Sequence, residues 1–307
     1  MAGGLSRIAA EVEEAVRRRV ALGLPGRAVG TVLASGDGWW VEDVICTSGP
    51  DDRSFEERHD GISIAVVLAG TFQYRSAAGR EMLTPGSLLL GNHGQCFECD
   101  HEHATGDRCA AFHFVPGWFE RLAADVGARP ARQWFGRARV PPLREISPVS
   151  AGTAAAVLGR PTTAWEELAL DVAARALRAA GGRPARPGGT PRGTQARVTD
   201  VVRAIERDPG ARLPLTGLAA RAGLSPFHFL RTFRRVTGVT PHQFILRARL
   251  RDAATRLATR PGRVSDIAYD AGFGDLSTFN RAFRAEFGMS PVAFRASGRR
   301  PDAARTA

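Results

Sequence analysis

The 307 residues are 44% hydrophobic, enough chain for two cores at about 100 to 200 residues per domain, and carry a formal net charge of +11. Twenty Arg against eight acidic residues fall between positions 192 and 300, a local +12, so a polyanionic partner is expected for that part of the chain alone. Apolar runs stop well short of about 18 residues and no export signal is evident, which excludes a membrane-spanning helix and leads us to expect a cytoplasmic protein with reduced thiols.

Residues 5–22 set Leu5, Ile8, Ala9, Val12, Ala15 and Val16 at helical spacing, an amphipathic helix. From about 31 to 115 the pattern changes to short strand-like runs at 31–34, 62–68, 71–75, 87–90 and 110–115. Gly-containing turns at 76–79 and 84–87 separate some of them, which predicts an antiparallel sandwich or barrel. Two helices follow, 118–126 and 163–180, with a Pro-rich segment between them. The second carries Trp165, Leu168, Val172 and Leu177 on one wide apolar face, open either to the core or to a second copy of the chain.

Within the β region, HGQCFECDHEHATGDRC (93–109) holds Cys96, Cys99, His101, His103 and Cys109 in 14 positions, flanked by His93 and His113. A strand over 99–103 turns Cys99, His101 and His103 to one face, and a turn at 105–107 returns Cys109 beside them in a hairpin. Thiolates and imidazoles at that density are ligands for zinc or another borderline metal such as copper or nickel. The expected set is Cys96, Cys99 and Cys109 with either His101 or His103, in a structural or a sensory role. A reactive-thiol sensor and a solvent-facing hairpin tip without a ligand are the alternatives. Cys46, distant in sequence, reads as a small buried hydrophobe.

GGRPARPGGTPRGT (181–194) has the composition of a linker, and beyond it helical periodicity holds almost to the end. The domains are therefore 1–180, a linker at 181–195, and an all-helical unit at 196–300. In that unit FLRTFRRVTGVTPHQF (229–244) repeats as FNRAFRAEFGMSPVAF (279–294), and LAARAGL (218–224) as IAYDAGF (267–273).

Each copy reads as a short helix, a tight turn at Gly223 or Gly272, and a longer helix, with Thr216 and Ser265 as N-caps. In the longer helices Phe229, Phe233 and Val236, or Phe279, Phe283 and Phe287, share one face and must enter a core. The opposite face then presents Phe227, Leu230, Arg231 and Arg234 in the first copy, and Leu276, Ser277, Asn280, Arg281 and Arg284 in the second. Arg suits guanine and Asn suits adenine in the major groove. Ser225, Thr240 and Ser277 are candidate phosphate donors, and Arg235 and Arg249 candidate neutralisers. A helix over 241–259 joins the copies; about 17 residues at about 1.5 Å each span about 25 Å, which suits successive grooves on one side of a duplex.

Residues from about 196 to 297, above all AGFGDLSTFNRAFRAEFGMSPVAFR (271–295), resemble the DNA-binding domain of the AraC family of transcription regulators. The resemblance implies seven helices with two helix-turn-helix units. It points to Phe227, Leu230, Arg231, Leu276, Ser277, Asn280 and Arg281 as base-reading positions. The apolar Phe227 and Leu230 suggest thymine-methyl contacts in the first unit. The β region, with Gly79-x5-Pro85-Gly86 before 88–90, resembles the cupin-like sensor of the same family.

The expected fold is thus α+β: a cupin-like β domain with flanking helices, then the double helix-turn-helix unit. The expected function is sequence-specific regulation of transcription as a homodimer on double-stranded DNA, with a small-molecule or metal effector and RNA polymerase as partners. No Gly-rich phosphate loop, nucleophile elbow or paired-carboxylate signature appears, so no catalysis is expected. The competing readings are a metal-dependent cupin enzyme fused to a DNA-binding domain and a zinc-thiolate DNA methyl acceptor.

Overall fold

The computed structural model describes residues 7–128, 133–180 and 192–297. Helix α1 (Arg7–Ala21) precedes nine strands: β1 (Ala28–Gly36), β2 (Trp39–Cys46), β3 (Phe55–Arg58), β4 (Ile62–Gly70), β5 (Phe72–Ser76), β6 (Gly79–Leu83), β7 (Leu88–Gly91), β8 (Cys96–Asp100) and β9 (Asp107–Phe114). With the short β10 (Arg139–Val140) they form two antiparallel sheets, ordered β1-β2-β9-β4-β7-β10 and β3-β8-β5-β6.

Strand β4 reads ISIAVVLAG, apolar almost throughout, because both faces of its sheet are covered. Ile62, Ile64 and Val66 point outward, with Trp39, Val41, Phe112 and Phe114, into a core closed by helices. Ala65 and Val67 point inward, with Ala111 and Cys109, towards Phe72, Tyr74 and Cys99 of the second sheet.

The outer core is closed by α2 (Pro116–Asp125) and by α4 (Trp165–Ala180). The apolar face of α4 lies against the sheet: Leu168, Ala169, Val172 and Ala173 are buried there, and Trp165 and Leu177 pack on the same cluster. That stripe is consumed within the chain, so it is not a free surface for a second copy.

Helix α3 (Ser147–Val157) occupies part of the segment read only as Pro-rich. It carries no amphipathic stripe because nearly every residue from Ser147 to Ala156 is buried, on all sides. Its side chains reach three cores: Val149 the helices of the β domain, Ala154 helix α1, and Ala151 the helices of the C-terminal unit. A helix wedged in this way cannot be recognised from one-sided periodicity.

Seven helices complete the described chain: α5 (Arg192–Arg207), α6 (Leu215–Arg221), α7 (Pro226–Thr237), α8 (Pro241–Thr259), α9 (Val264–Asp270), α10 (Leu276–Phe287) and α11 (Pro291–Ser297). Of the linker expected at 181–195, residues 181–191 lie outside the described residues, and 192–195 already belong to α5. Helices α6–α7 and α9–α10 are the two repeats, and the 19 residues of α8 separate them by about 28 Å of helix.

Thr216 and Ser265 fall inside the first turns of α6 and α9, whose N-cap positions are Pro214 and Arg263 without side-chain caps. The capping side chains sit instead on the longer helices. Ser225 accepts from the His228 N–H, Asp275 from the Thr278 N–H, and Thr240 forms a reciprocal box with Gln243.

The β domain is docked on the helical unit at both repeats. Arg139 donates to the Thr237 carbonyl at the end of α7 (2.8 Å) while pairing with Glu81 (3.0 Å). Ser147 of α3 donates to Glu286, a buried residue of α10, and Arg247 of α8 donates to the Pro142 carbonyl (3.0 Å). Met82 of β6 enters the core of the first repeat.

The repeat supplies its own control for this docking. Gly238 and Gly288 end α7 and α10 in the same left-handed conformation (φ 83° and 76°). A Cβ on Gly238 would meet Pro141 at 2.5 Å, whereas nothing lies within 4 Å of one on Gly288. Gly288→Ala should therefore cost about 1 kcal/mol of backbone strain, and Gly238→Ala about 1 to 3 kcal/mol more through overpacking. Urea denaturation of both variants measures the difference; equal losses would show that this contact is loose.

Candidate nucleic-acid interface and sensor cavity

The longer helix of each repeat is held by aromatic anchors. Phe229 and Phe233 of α7 pack at 5.5 Å between ring centroids, as do Phe279 and Phe283 of α10, and all four are fully buried. Each such ring contributes about 1.5 to 3 kcal/mol by leaving water, so the rotation of both helices is firmly set.

All ten side chains assigned to DNA in the sequence are consequently exposed: Ser225, Phe227, Leu230, Arg231 and Arg234 on the first unit, Leu276, Ser277, Asn280, Arg281 and Arg284 on the second. Phe227 is 70% exposed, an unusual position for a large apolar ring, and Arg231 lies over it at 5.9 Å.

Several arginines of this unit are tied into the fold. Arg249 donates to the carbonyls of Pro209, Ala211 and Gly272 and so ties α8 to the turn before α6 and to the turn of the second repeat. That structural work removes it from the expected phosphate neutralisers. Arg251 pairs with Glu206 and Arg256 with Asp252. Among the described residues Arg234, Arg281 and Arg284, by contrast, make no hydrogen bond or ion pair within the protein, and their donors face solvent. Ser225 and Thr240, expected as phosphate donors, also cap helices: each accepts an amide N–H, the Ser225 hydroxyl proton stays free among the described residues, and Thr240 donates to the Gln243 side chain. Asp275 was missed in the sequence reading; hydrogen bonds from the Thr278 and Ser277 amides hold its carboxyl below the usual range.

Between the two sheets of the β domain lies a cavity of about 430 Å³. Alternation along the strands builds its walls: Trp40, Glu42, Val44 and Cys46 from β2 face Asp107, Cys109, Ala111 and His113 from β9 on one side of the sheet. One end is aromatic and lined by imidazoles. His113 stacks on Trp40 at 4.8 Å, and His59 accepts from or donates to the Tyr74 hydroxyl at 2.8 Å while stacking on Phe97. Burial pulls the pKa of His59 down to about 4 and lowers that of His113, and burial with Cys99 beyond it raises that of Tyr74.

The other end holds part of the Cys/His cluster, arranged differently from the expected hairpin. β8 stops at Asp100, so His101 and His103 lie in the following turn rather than alternating along a strand. Strands β8 and β9 belong to opposite sheets, so Cys99 and Cys109 line the cavity from different walls. Cys96 is exposed, and His103 borders a separate small recess with Met82 and Thr199. His93 lies apart, hydrogen-bonded to the Asp60 carbonyl.

The group that does converge includes the residue set aside as a hydrophobe. Ligand atoms of Cys46, His101 and Asp107 lie within 4.8 Å of one another, all buried. Burial alone would lower the pKa of His101, but hydrogen bonding to Asp107 (2.6 Å) and Cys46 outweighs it and holds the pKa at about 10. Burial and the Asp107 charge push the thiols of Cys99 and Cys109 well up. Sequence distance concealed Cys46; the signal available was its place at the end of a strand-like run.

Residues 40–157 match the family described as an AraC-like ligand binding domain, and residues 218–297 match a helix-turn-helix domain family. The chain is 31% identical over 109 residues to the probable transcription factor PqrA of Proteus vulgaris, an alignment covering 34% of this chain and 88% of PqrA. It is 32% identical over 100 residues to the transcriptional activator AarP of Providencia stuartii, covering 33% and 74% respectively. It matches LumQ of Photobacterium leiognathi, a probable transcriptional regulator, at 36% over 90 residues, 29% of this chain and only 36% of LumQ. Among solved structures, the DNA-binding domain of AdpA in complex with a target DNA is 32% identical, with 34% and 93% coverage and a TM-score of 0.33. The fold and site define a DNA-binding regulator with a ligand-binding β domain. The chain belongs to the AraC family of transcription regulators. Among the described residues no helix is long and apolar enough to cross a membrane.

The folded pKa of His59, about 4 against an ordinary 6.5, sets a pH dependence. Between those values the unfolded chain takes up a proton that the folded chain does not, so stability falls as pH drops from 6.5 towards 4, by up to about 3 kcal/mol. His59→Gln should remove that component, making its loss of stability between pH 7 and 4.5 in urea titrations smaller than that of the parent.

Proposed function

We propose that this protein regulates transcription by placing α7 and α10 in successive major grooves of one DNA duplex, under control of an effector bound in the β-domain cavity. The observation that carries the reading is the division of the arginines. Those facing inward satisfy carbonyls and carboxylates of the fold, while Arg234, Arg281 and Arg284 hold unpaired donors on the outward faces of the two repeats.

In this reading Asn280 and Arg281 make the polar base contacts of the second unit, Asn towards adenine and Arg towards guanine. Ser277, near the start of α10, donates to phosphate; Arg234 and Arg284, one turn further along each helix, neutralise phosphates. Phe227 and Leu230 favour apolar contact with thymine methyls, so polar discrimination rests mainly on the second unit, with Arg231 steered by the Phe227 ring. No catalytic step is assigned to the cavity. A small uncharged aromatic molecule with hydrogen-bonding groups suits the end formed by Trp40, His113, His59 and Tyr74.

Selection from random duplexes would define the site, and affinity for it should fall steeply with salt through counterion release. Arg281→Ala should weaken binding by about 1 to 3 kcal/mol and relax preference at one base pair without changing stability. Arg249→Ala should instead lower stability, because three carbonyls lose their donor. If Arg281→Ala bound all sequences like the parent, the base-reading assignment would be wrong.

The same reading makes the docking contacts the route from cavity to DNA. Arg139 and Ser147 hold the C-terminal ends of α7 and α10, so the β domain biases the angle between the two reading helices. Replacing both by Ala should change effector-free affinity for the selected site by about fivefold or more, the lower range of allosteric coupling, in a fluorescence anisotropy titration. An unchanged affinity would separate the two domains functionally.

A further inference from the structure

The innermost end of the sensor cavity has a chemistry that neither DNA binding nor an aromatic effector requires. Cys46 ends β2 and Asp107 begins β9, and the two are direct partners in the antiparallel ladder, so their side chains leave the same face at adjacent positions. His101, in the turn after β8, crosses from the opposite sheet and puts its Nε2 2.6 Å from the Asp107 Oδ2. The second carboxylate oxygen of Asp107 accepts from the Cys109 thiol at 3.5 Å. Cys109 is two residues further along β9 and therefore on the same face, and Cys99 lines the cavity from the facing sheet.

An aspartate only 4% exposed inside a β-sandwich is costly unless its charge is matched. In the metal-free chain His101 answers that charge as an ion pair at 2.6 Å, and the remaining polar neighbours are thiols; an imidazole and thiols together are the softer ligand types for a dication. Elsewhere in this domain a half-buried acid finds arginine instead, as Asp43 does with Arg108 at 2.7 Å.

We propose that Cys46, His101 and Asp107 form a binding site for a borderline divalent cation of the zinc class, with Cys109 as its fourth ligand. The three primary ligand atoms already lie within 4.8 Å of one another, so rotamer adjustment of about an ångström closes them to the edge lengths of a tetrahedral site. One thiolate or two, an imidazole and a carboxylate select zinc, cobalt or nickel over magnesium and calcium, which prefer oxygen alone. The ion ties β2 and β9 of one sheet to the turn after β8 of the other. It thereby fixes the spacing of the two cavity walls, and a metal-bound state differs mechanically from a metal-free one. The site differs from the compact hairpin cluster that the sequence suggested: it recruits Cys46 and Asp107 and leaves out Cys96 and His103.

The test uses the untagged full-length chain, reduced and stripped of metal, titrated first with Co2+ and then with Zn2+. Cobalt should give a near-ultraviolet thiolate-to-metal band at one ion per chain, which zinc then displaces. X-ray absorption of the zinc-loaded parent should show a first shell mixing sulfur with nitrogen and oxygen. Cys46→Ser and Asp107→Asn should each weaken zinc binding by at least about tenfold, since even outer-shell partners carry losses of that order, while Cys96→Ser and His103→Gln leave it unchanged. A parent chain without the cobalt band, a first shell without sulfur, or loss in Cys96→Ser with retention in Cys46→Ser would each overturn the assignment. The two spectroscopic measurements need no variant, so they decide the matter even if a substitution unfolds the domain. None of them involves DNA, so the metal site and the DNA-binding role stand or fall separately.

Discussion

Everything the C-terminal unit can do depends on four phenylalanines leaving water. Phe229 and Phe233 in one repeat, and Phe279 and Phe283 in the other, are fully enclosed in separate small cores. Once they are inside, helical geometry leaves no freedom over which residues are outside, and Arg231, Arg234, Arg281 and Arg284 must face solvent. The exposed face is thus a by-product of the buried one. Side-chain chemistry then adds a second layer: Arg249, Arg251 and Arg256 occupy the scaffold and pin the repeats to α8, which frees the remaining guanidinium groups for an outside partner.

In the β domain the equivalent constraint is a sheet covered on both sides. One face packs on α2, α3 and α4, and the other encloses the cavity with the second sheet. Elements docked on such a sheet take their position from it. The dock is α3 with the residues just before it, reached by Arg247 and Glu286 from the helical unit, and Met82 and Arg139 extend it to the first repeat. Cavity and reading helices are therefore joined through packed elements and hydrogen bonds rather than through the segment between the domains alone.

Much of this was legible in the chain itself. The duplicated FxRxF pattern, the glycines that close α7 and α10, and the alternation of the β region all rest on local periodicity, which is a property of consecutive residues. Three features were not legible for the same reason. α3 is surrounded on all sides, so it lacks a stripe. The apolar face of α4 carries the same pattern whether it meets a sheet or a partner, and only the fold decided for the sheet. The hydroxyls of Ser225 and Thr240 carry no sign in the sequence of their capping role.

By itself, then, the sequence determined a basic domain made of one helix-turn-helix module used twice, and a β domain before it, because helical and strand periods and charge are written residue by residue. Only the tertiary structure decided which cysteines meet. Cys46 and Asp107 are 61 positions apart yet opposite each other in the β2–β9 ladder, whereas Cys96 and Cys109, neighbours in sequence, part company between exposed surface and cavity wall. Proximity along the chain is not proximity in space when consecutive strands enter different sheets, and long-range strand pairing has no local signature from which it could be read.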